Sequence, residues 1–421
     1  MDNNFLYLED LAGTGGTNDT ITDSQNSRII GGDTNSIDNN SNNSAILAGQ
    51  INNITTDSCE SVILGGHHNK LCDACFSSIT GGMDNTIYDS CYSSVVGGWS
   101  NYISGGARYS SIIGSYDSNL YNARNSNILG GECNKLYGGG EMTCNSTIVG
   151  GCYNVMCCGI YSSSIIGGDC NCLTYYSGCS VVMAGYRNYM VCENYNSAIL
   201  GGHDNNMCNF NNSSIIVGGE TNRMYNNCNS STIGGNSNCM VSTSGSIIAG
   251  GSGNRIESDG PFWTYRNGIL GGNYNRICGY NKDSTISAGC SNRICYESNS
   301  SSIVGGYCNA IRCYSDNSTI MGGSKNCIAC GDNSAIIGGC GSHMYKAKGS
   351  AIFGGSCFES YYVCNPNYPN ICFSGNSYGN RVYRSYNSIV SGGLYQCYFN
   401  GECCVIENQS NSIYLSIASN I

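Results

Sequence analysis

The chain has 421 residues, with 18 Lys and Arg against 28 Asp and Glu, and therefore a net charge of −10. Nothing basic is concentrated along the sequence as nucleic-acid binding would need, and no apolar run reaches the roughly 18 residues of a membrane-spanning helix. Length alone would suggest two or three globular domains, but a recurring unit overrides that reading, and 30 Cys point to an oxidising compartment.

The opening segment from Met1 to Asp10 lacks the basic stretch and long apolar core of a secretory leader, so synthesis in a cytosol is expected. Residues 1–27 read as an N-terminal cap. It contains one degenerate repeat, with Gly15-Gly16, Asp19 and Ile21 in the positions that recur below. Phe5, Leu6, Tyr7 and Leu8 are expected to cover the open end, because stacked strands must close their edge.

From residue 28 to 358 one unit recurs, as in Ser163-Ser164-Ile165-Ile166-Gly167-Gly168-Asp169-Cys170-Asn171-Cys172-Leu173. With the first Gly of the pair as slot 0, there are twenty copies, nearly all 16 or 17 residues apart. Slot −2 is Ile or Val in nineteen, among them Ile63, Ile165 and Ile303; Thr232 is the exception. Slot +6 is Ile, Leu or Met in nineteen, and slot +4 is Asn in seventeen, including Asn171 and Asn309. So short a period leaves no room for a helix and its return. β-branched residues beside Gly and Asn indicate short strands and tight corners, one coil of a parallel β-solenoid per copy.

Within a coil, neighbouring strand residues face opposite sides. Slots −2 and +6 then form the core with Leu173 as an example, and Asn at +4 is expected to point inward and hydrogen-bond from coil to coil. An outward turn residue is the alternative for this Asn. Slot −1 holds Leu64, Ile166, Val304 and their equivalents, an apolar outside stripe too long to leave in water. That stripe argues for an obligate oligomer. The alternative places both slots in one wide corner of a monomer.

The cysteines recur in register: Cys59, Cys75 and Cys91, and then Cys278, Cys295, Cys313 and Cys330. Stacked coils lie roughly 4.8 Å apart, within disulfide reach. Most cysteines are therefore expected to be oxidised, chiefly between coils one period apart, such as Cys278 with Cys295. Free stacked thiols are the alternative, and a metal reading of Cys72-Asp73-Ala74-Cys75 lacks a second half-site.

Two longer intervals contain insertions, Leu136 to Cys144 and Ser258 to Tyr265. After Phe358 the period fails, and residues 359–421 are read as a Cys- and Tyr-rich terminal cap or assembly module with degenerate coils near Asn380, Ser388 and Ser412. No Ser/His/Asp, Cys/His or paired-carboxylate arrangement stands out, so no enzyme, catalytic residue, metal or cofactor is expected. His67-His68 reads as a solvated turn. The loop tyrosines, among them Tyr88, Tyr161, Tyr175 and Tyr314, suit either carbohydrate contacts or packing between fibres.

The recurring Ser-x-Ile-x-Gly-Gly-x-x-Asn-x-Ile, as in Ser301 to Ile311, resembles the head repeats of trimeric autotransporter adhesins and related repeats of bacteriophage and giant-virus fibre proteins. The resemblance covers about residues 15–358. It implies a left-handed parallel β-roll whose apolar strand faces pack three chains around an axis, with Leu64, Ile166 and Val304 at that contact. The chain departs from the adhesins in lacking a leader, a coiled-coil stalk and a membrane-anchor barrel, and in its many cysteines. The expectation is an all-β homotrimeric fibre subunit on a virion or extracellular surface, about twenty coils and on the order of 100 Å long. The alternative is a host-glycan-binding module, and no nucleic acid or membrane insertion is expected.

Overall fold

The computed structural model describes residues 16–138 and 143–354, together with the strands Gly379–Tyr383, Ile389–Ser391, Tyr395–Phe399, Val405–Glu407 and Ser412–Leu415. The expected covering residues Phe5 to Leu8, the middle of the first insertion and Cys364, Cys372, Cys403 and Cys404 lie outside the described residues. The fold is an all-β parallel β-solenoid of about 19 coils of about 17 residues. It divides into two compact units, Met1–Asn211 and Asn212–Ile421.

Each regular coil contributes one short strand to each of two parallel sheets. Slots −3 to −1 form the first and slots +5 to +7 the second. In the first unit Ser164–Ile166 pairs with Val181–Met183, Ile165 lying opposite Val182, and Cys172–Thr174 pairs with Tyr189–Val191. In the second unit Ile303 lies opposite Ile320 and Ile311 opposite Ile328. The inward residues of the two sheets meet in the middle: Ile63, Ile165, Leu173 and Ile303 have no solvent exposure. Thr232 fills its slot −2 as a Val-shaped residue, buried with its hydroxyl unpartnered.

The corner between the strands is held by the slot +4 amides, and Asn171 and Asn309 are fully buried. The Asn171 N–H donates to Asn154 Oδ1 at 3.0 Å, while Asn171 Oδ1 accepts the N–H of Asn188 at 3.0 Å. Its Nδ2 donates to the carbonyl of Gly185 at 3.2 Å and to that of Gly167 at 3.4 Å. Asn309 repeats the pattern with Asn292, Asn326 and Gly323, each at 3.0 Å. One side chain thus satisfies backbone groups on its own coil and the next, each of which would cost about 1–3 kcal/mol if buried unpaired. At the start of the first unit Asp19 stands in this slot and accepts the Asn35 N–H at 2.8 Å.

A second buried column was not foreseen. Slot −4 holds serines whose hydroxyls do the same work at the opposite corner. Ser180 N–H donates to Ser163 Oγ at 3.0 Å, and Ser180 Oγ donates to the Asn194 carbonyl at 3.0 Å. Ser301 does so with Ser284 at 3.3 Å and Ser315 at 2.7 Å.

The two glycines of the pair differ. Gly167 has φ 68° and open space where a Cβ would go, whereas Gly168 has φ 79° and a Cβ there would meet both Asn171 Nδ2 and the Gly185 carbonyl oxygen at 2.4 Å. In the coil where Ser115 replaces the second Gly, slot +4 is also changed, to Ser118. Their hydroxyls hydrogen-bond to each other, and Ser115 is not among the residues with positive φ.

Both insertions leave the register intact. Lys135 still pairs with Val155 and Arg255 with Arg276. Each inserted segment returns through an extra two-residue strand, Thr143–Cys144 against Ala123–Arg124 and Thr264–Tyr265 against Thr243–Ser244. Beyond the last regular coil, Gly379–Tyr383 and Ile389–Ser391 pair in parallel with His343–Tyr345 and Ala351–Phe353.

Candidate assembly face

The outward side of the first sheet is set by two slots. Slot −1 projects large apolar side chains: Leu64 is 43 %, Ile166 40 % and Val304 47 % exposed. Slot −3, two residues earlier on the same side, is small or short in most copies, as at Ala45, Ser164, Ala198 and Ser302, with Val62, Val181, Ile215 and Ile247 larger, and these side chains are half-buried. Slot 0 is Gly or Ala in all twenty copies. The result in each unit is a ridge of mainly aliphatic side chains, interrupted at Thr80 and Ser287. From Ala45 to Phe353 slots −3 and −1 carry no charge. A surface of this kind has nothing to offer water and gains by burial at about 25 cal/mol per Å².

The second sheet looks the other way. Its outward slots +5 and +7 carry Lys70, Lys135, Arg223, Arg255, Arg276, Arg293 and Arg312 alongside exposed tyrosines such as Tyr88, Tyr102, Tyr121 and Tyr225. No known family model matches the chain, and no curated protein matches it.

The cysteines correct the sequence-based expectation. Cys278 and Cys295 are joined, with Cα atoms 4.7 Å apart, as directly paired residues of the second sheet. It is the one disulfide among the described residues, and Cys59, Cys75, Cys91, Cys313 and Cys330 are thiols. The physical difference is position. The bridged pair lies on strands, where parallel register aligns the side chains. The others lie in turns, where Cys59 Sγ contacts the Asn40 carbonyl at 3.3 Å and Cys75 Sγ the Asp57 carbonyl at 2.9 Å. Burial, followed by its stacked neighbours, pushes the Cys75 thiol pKa up.

A tighter cluster was missed in the sequence. Burial and the neighbouring Cys158 push Cys157 up to about 12, and burial pushes Cys172 up to about 11. Alkylation requires the thiolate. At about pH 8, iodoacetamide should modify exposed Cys179 and spare Cys157 and Cys172, whose labelling should climb only as pH approaches their raised values. Peptide mapping by mass spectrometry checks this, and equal labelling of all three at pH 8 would contradict it.

The turns carry two further features. His68 Nδ1 lies 2.6 Å from Asp84 Oδ1 beside a groove of about 340 Å³ lined also by Asn53, Lys70 and Thr86. That hydrogen bond chiefly holds the Asp84 pKa below the usual carboxylate range. At another corner Phe76, Tyr92 and Tyr109 stack coil upon coil with ring centroids 4.8 and 4.9 Å apart. Of the tyrosines singled out from the sequence, Tyr88, Tyr161, Tyr175 and Tyr314 are exposed.

Proposed function

We propose that the protein is a structural fibre or filament subunit that forms a rigid homotrimeric rod on a virion or cell surface. The observation that carries this reading is the uncharged ridge at slot −1, in which each unit exposes aliphatic residues such as Leu64, Ile166 and Val304. Three such ridges packed about an axis remove one another from water. The buried Asn and Ser columns leave little flexibility within a coil, which suits a load-bearing element. Multi-angle light scattering of the purified full chain should give three times the protomer mass at micromolar concentration. A stable monomer under non-reducing conditions would overturn the reading.

Binding of host glycans is the second reading, favoured by the exposed, stacked Phe76, Tyr92 and Tyr109, because aromatic faces in a row suit sugar rings. Absence of any hit on a multivalent glycan array would remove it.

A further inference from the structure

The outward face of the second sheet carries a row of cations in the second unit. Arg223, Arg255, Arg276 and Arg293 all occupy slot +5, and Arg312 occupies slot +7 of the next coil. Arg255 lies directly opposite Arg276, and Arg276 directly opposite Arg293. Cys239 bridges the register between Arg223 and Arg255, and Arg312 lies opposite Cys295. These five arginines are a large share of the 18 basic residues of a chain with net charge −10.

Like charges directly opposite one another on adjacent strands repel. The fold does not require them, since the same slot holds Ser36, Asn53, Thr86 and Asn119 in other coils. The row is only partly neutralised. Glu257, buried with a side chain 6 % exposed, forms ion pairs with Arg255 and Arg276, and Asp259 lies 3.6 Å from Arg276. Arg293 instead points its Nε at Cys295 Sγ, 2.8 Å away. Among the described residues no carboxylate pairs with Arg223, Arg293 or Arg312. Glu257 also orders the row, because it fixes two guanidinium groups along the strand face, with Arg255 still 50 % exposed.

We infer that this face binds a linear polysaccharide bearing sulfate or carboxylate groups. Guanidinium forks take such groups in paired hydrogen bonds. Cations one or two coils apart along the stack, at roughly 4.8 Å per coil, suit a chain with anions spaced by sugar rings. Duplex DNA, with one charge per about 1.7 Å, would press a far denser field against an acidic protein. The row lies on the sheet facing away from the proposed subunit contact, so assembly leaves it open. The row itself does not depend on either reading above; only its openness in the assembly rests on the proposed subunit contact.

The test is binding of fluorescein-labelled heparin to the full chain, followed by polarisation in low and moderate salt. Neutral dextran and oligo(dT) serve as comparison ligands. Heparin should bind wild type in preference to both, and binding should weaken with salt. The double variant Arg223→Gln/Arg293→Gln should bind about ten-fold more weakly or worse, while Arg223→Lys/Arg293→Lys should retain much of the affinity. Light scattering confirms that both variants keep the wild-type assembly state. Unchanged binding by the Gln variant, or equal binding of dextran, overturns the site. Oligo(dT) binding as tightly as heparin overturns the ligand class.

Discussion

Introducing Glu at Leu64, Ile166 and Val304 together should convert the proposed trimer to monomers while leaving the strands intact. The three side chains project from the outward face of the first sheet and contribute nothing to the core, so a carboxylate there costs an isolated coil little. In a trimer the same substitutions place nine charges in a dry contact, each costing several kcal/mol unless paired. The expected readout is a fall from trimer to monomer by light scattering, with an unchanged β-type circular dichroism spectrum. Ser36→Glu, on the outward face of the second sheet, is the control and should leave the mass unchanged. Retention of the wild-type mass by the triple variant would move the contact elsewhere.

The second large effect separates the two glycines of one corner. Gly167→Ala pays only for a left-handed backbone, about 1–2 kcal/mol, and Ala184 already occupies the equivalent slot at φ 55°. Gly168→Ala adds a Cβ at 2.4 Å from a carbonyl oxygen of the next coil and from the Asn171 amide. Both neighbours are held by the amide column and cannot withdraw without breaking it. The expected loss is about 3–5 kcal/mol, seen as a much lower denaturant midpoint than for Gly167→Ala. Similar midpoints for the two variants would mean that the corner relaxes freely.

The periodic part of this architecture is legible in the residues because each slot has one job. Ile at −2, Ile, Leu or Met at +6 and Asn at +4 recur at fixed spacing, and alternation of strand faces assigns slot −1 to the outside. The serine column was visible as the first residue of the motif, yet Ser is common in turns and its spacing did not reveal inward geometry. The cysteine register was equally plain, but register alone does not say whether a residue sits on a strand or in a turn. That distinction separates Cys278 and Cys295 from Cys59, Cys75 and Cys91. The arginine row was hidden for a different reason: Arg223, Arg255, Arg276 and Arg293 are scattered in sequence, and only folding at the repeat period brings them into one line.

The Ser115–Ser118 coil bears on the history of the repeat. Starting from Gly and Asn, changing the glycine first drives a Cβ into the amide and the next carbonyl, as at Gly98 against Asn101 and Ser115. Changing the Asn first removes the obstructing amide at the cost of a few hydrogen bonds, after which the glycine can be replaced and its backbone can leave the left-handed region. The two substitutions therefore have a passable order and an impassable one. A coil that has taken the passable route cannot recover its Asn until its glycine returns, so divergence among the copies runs along a ratchet.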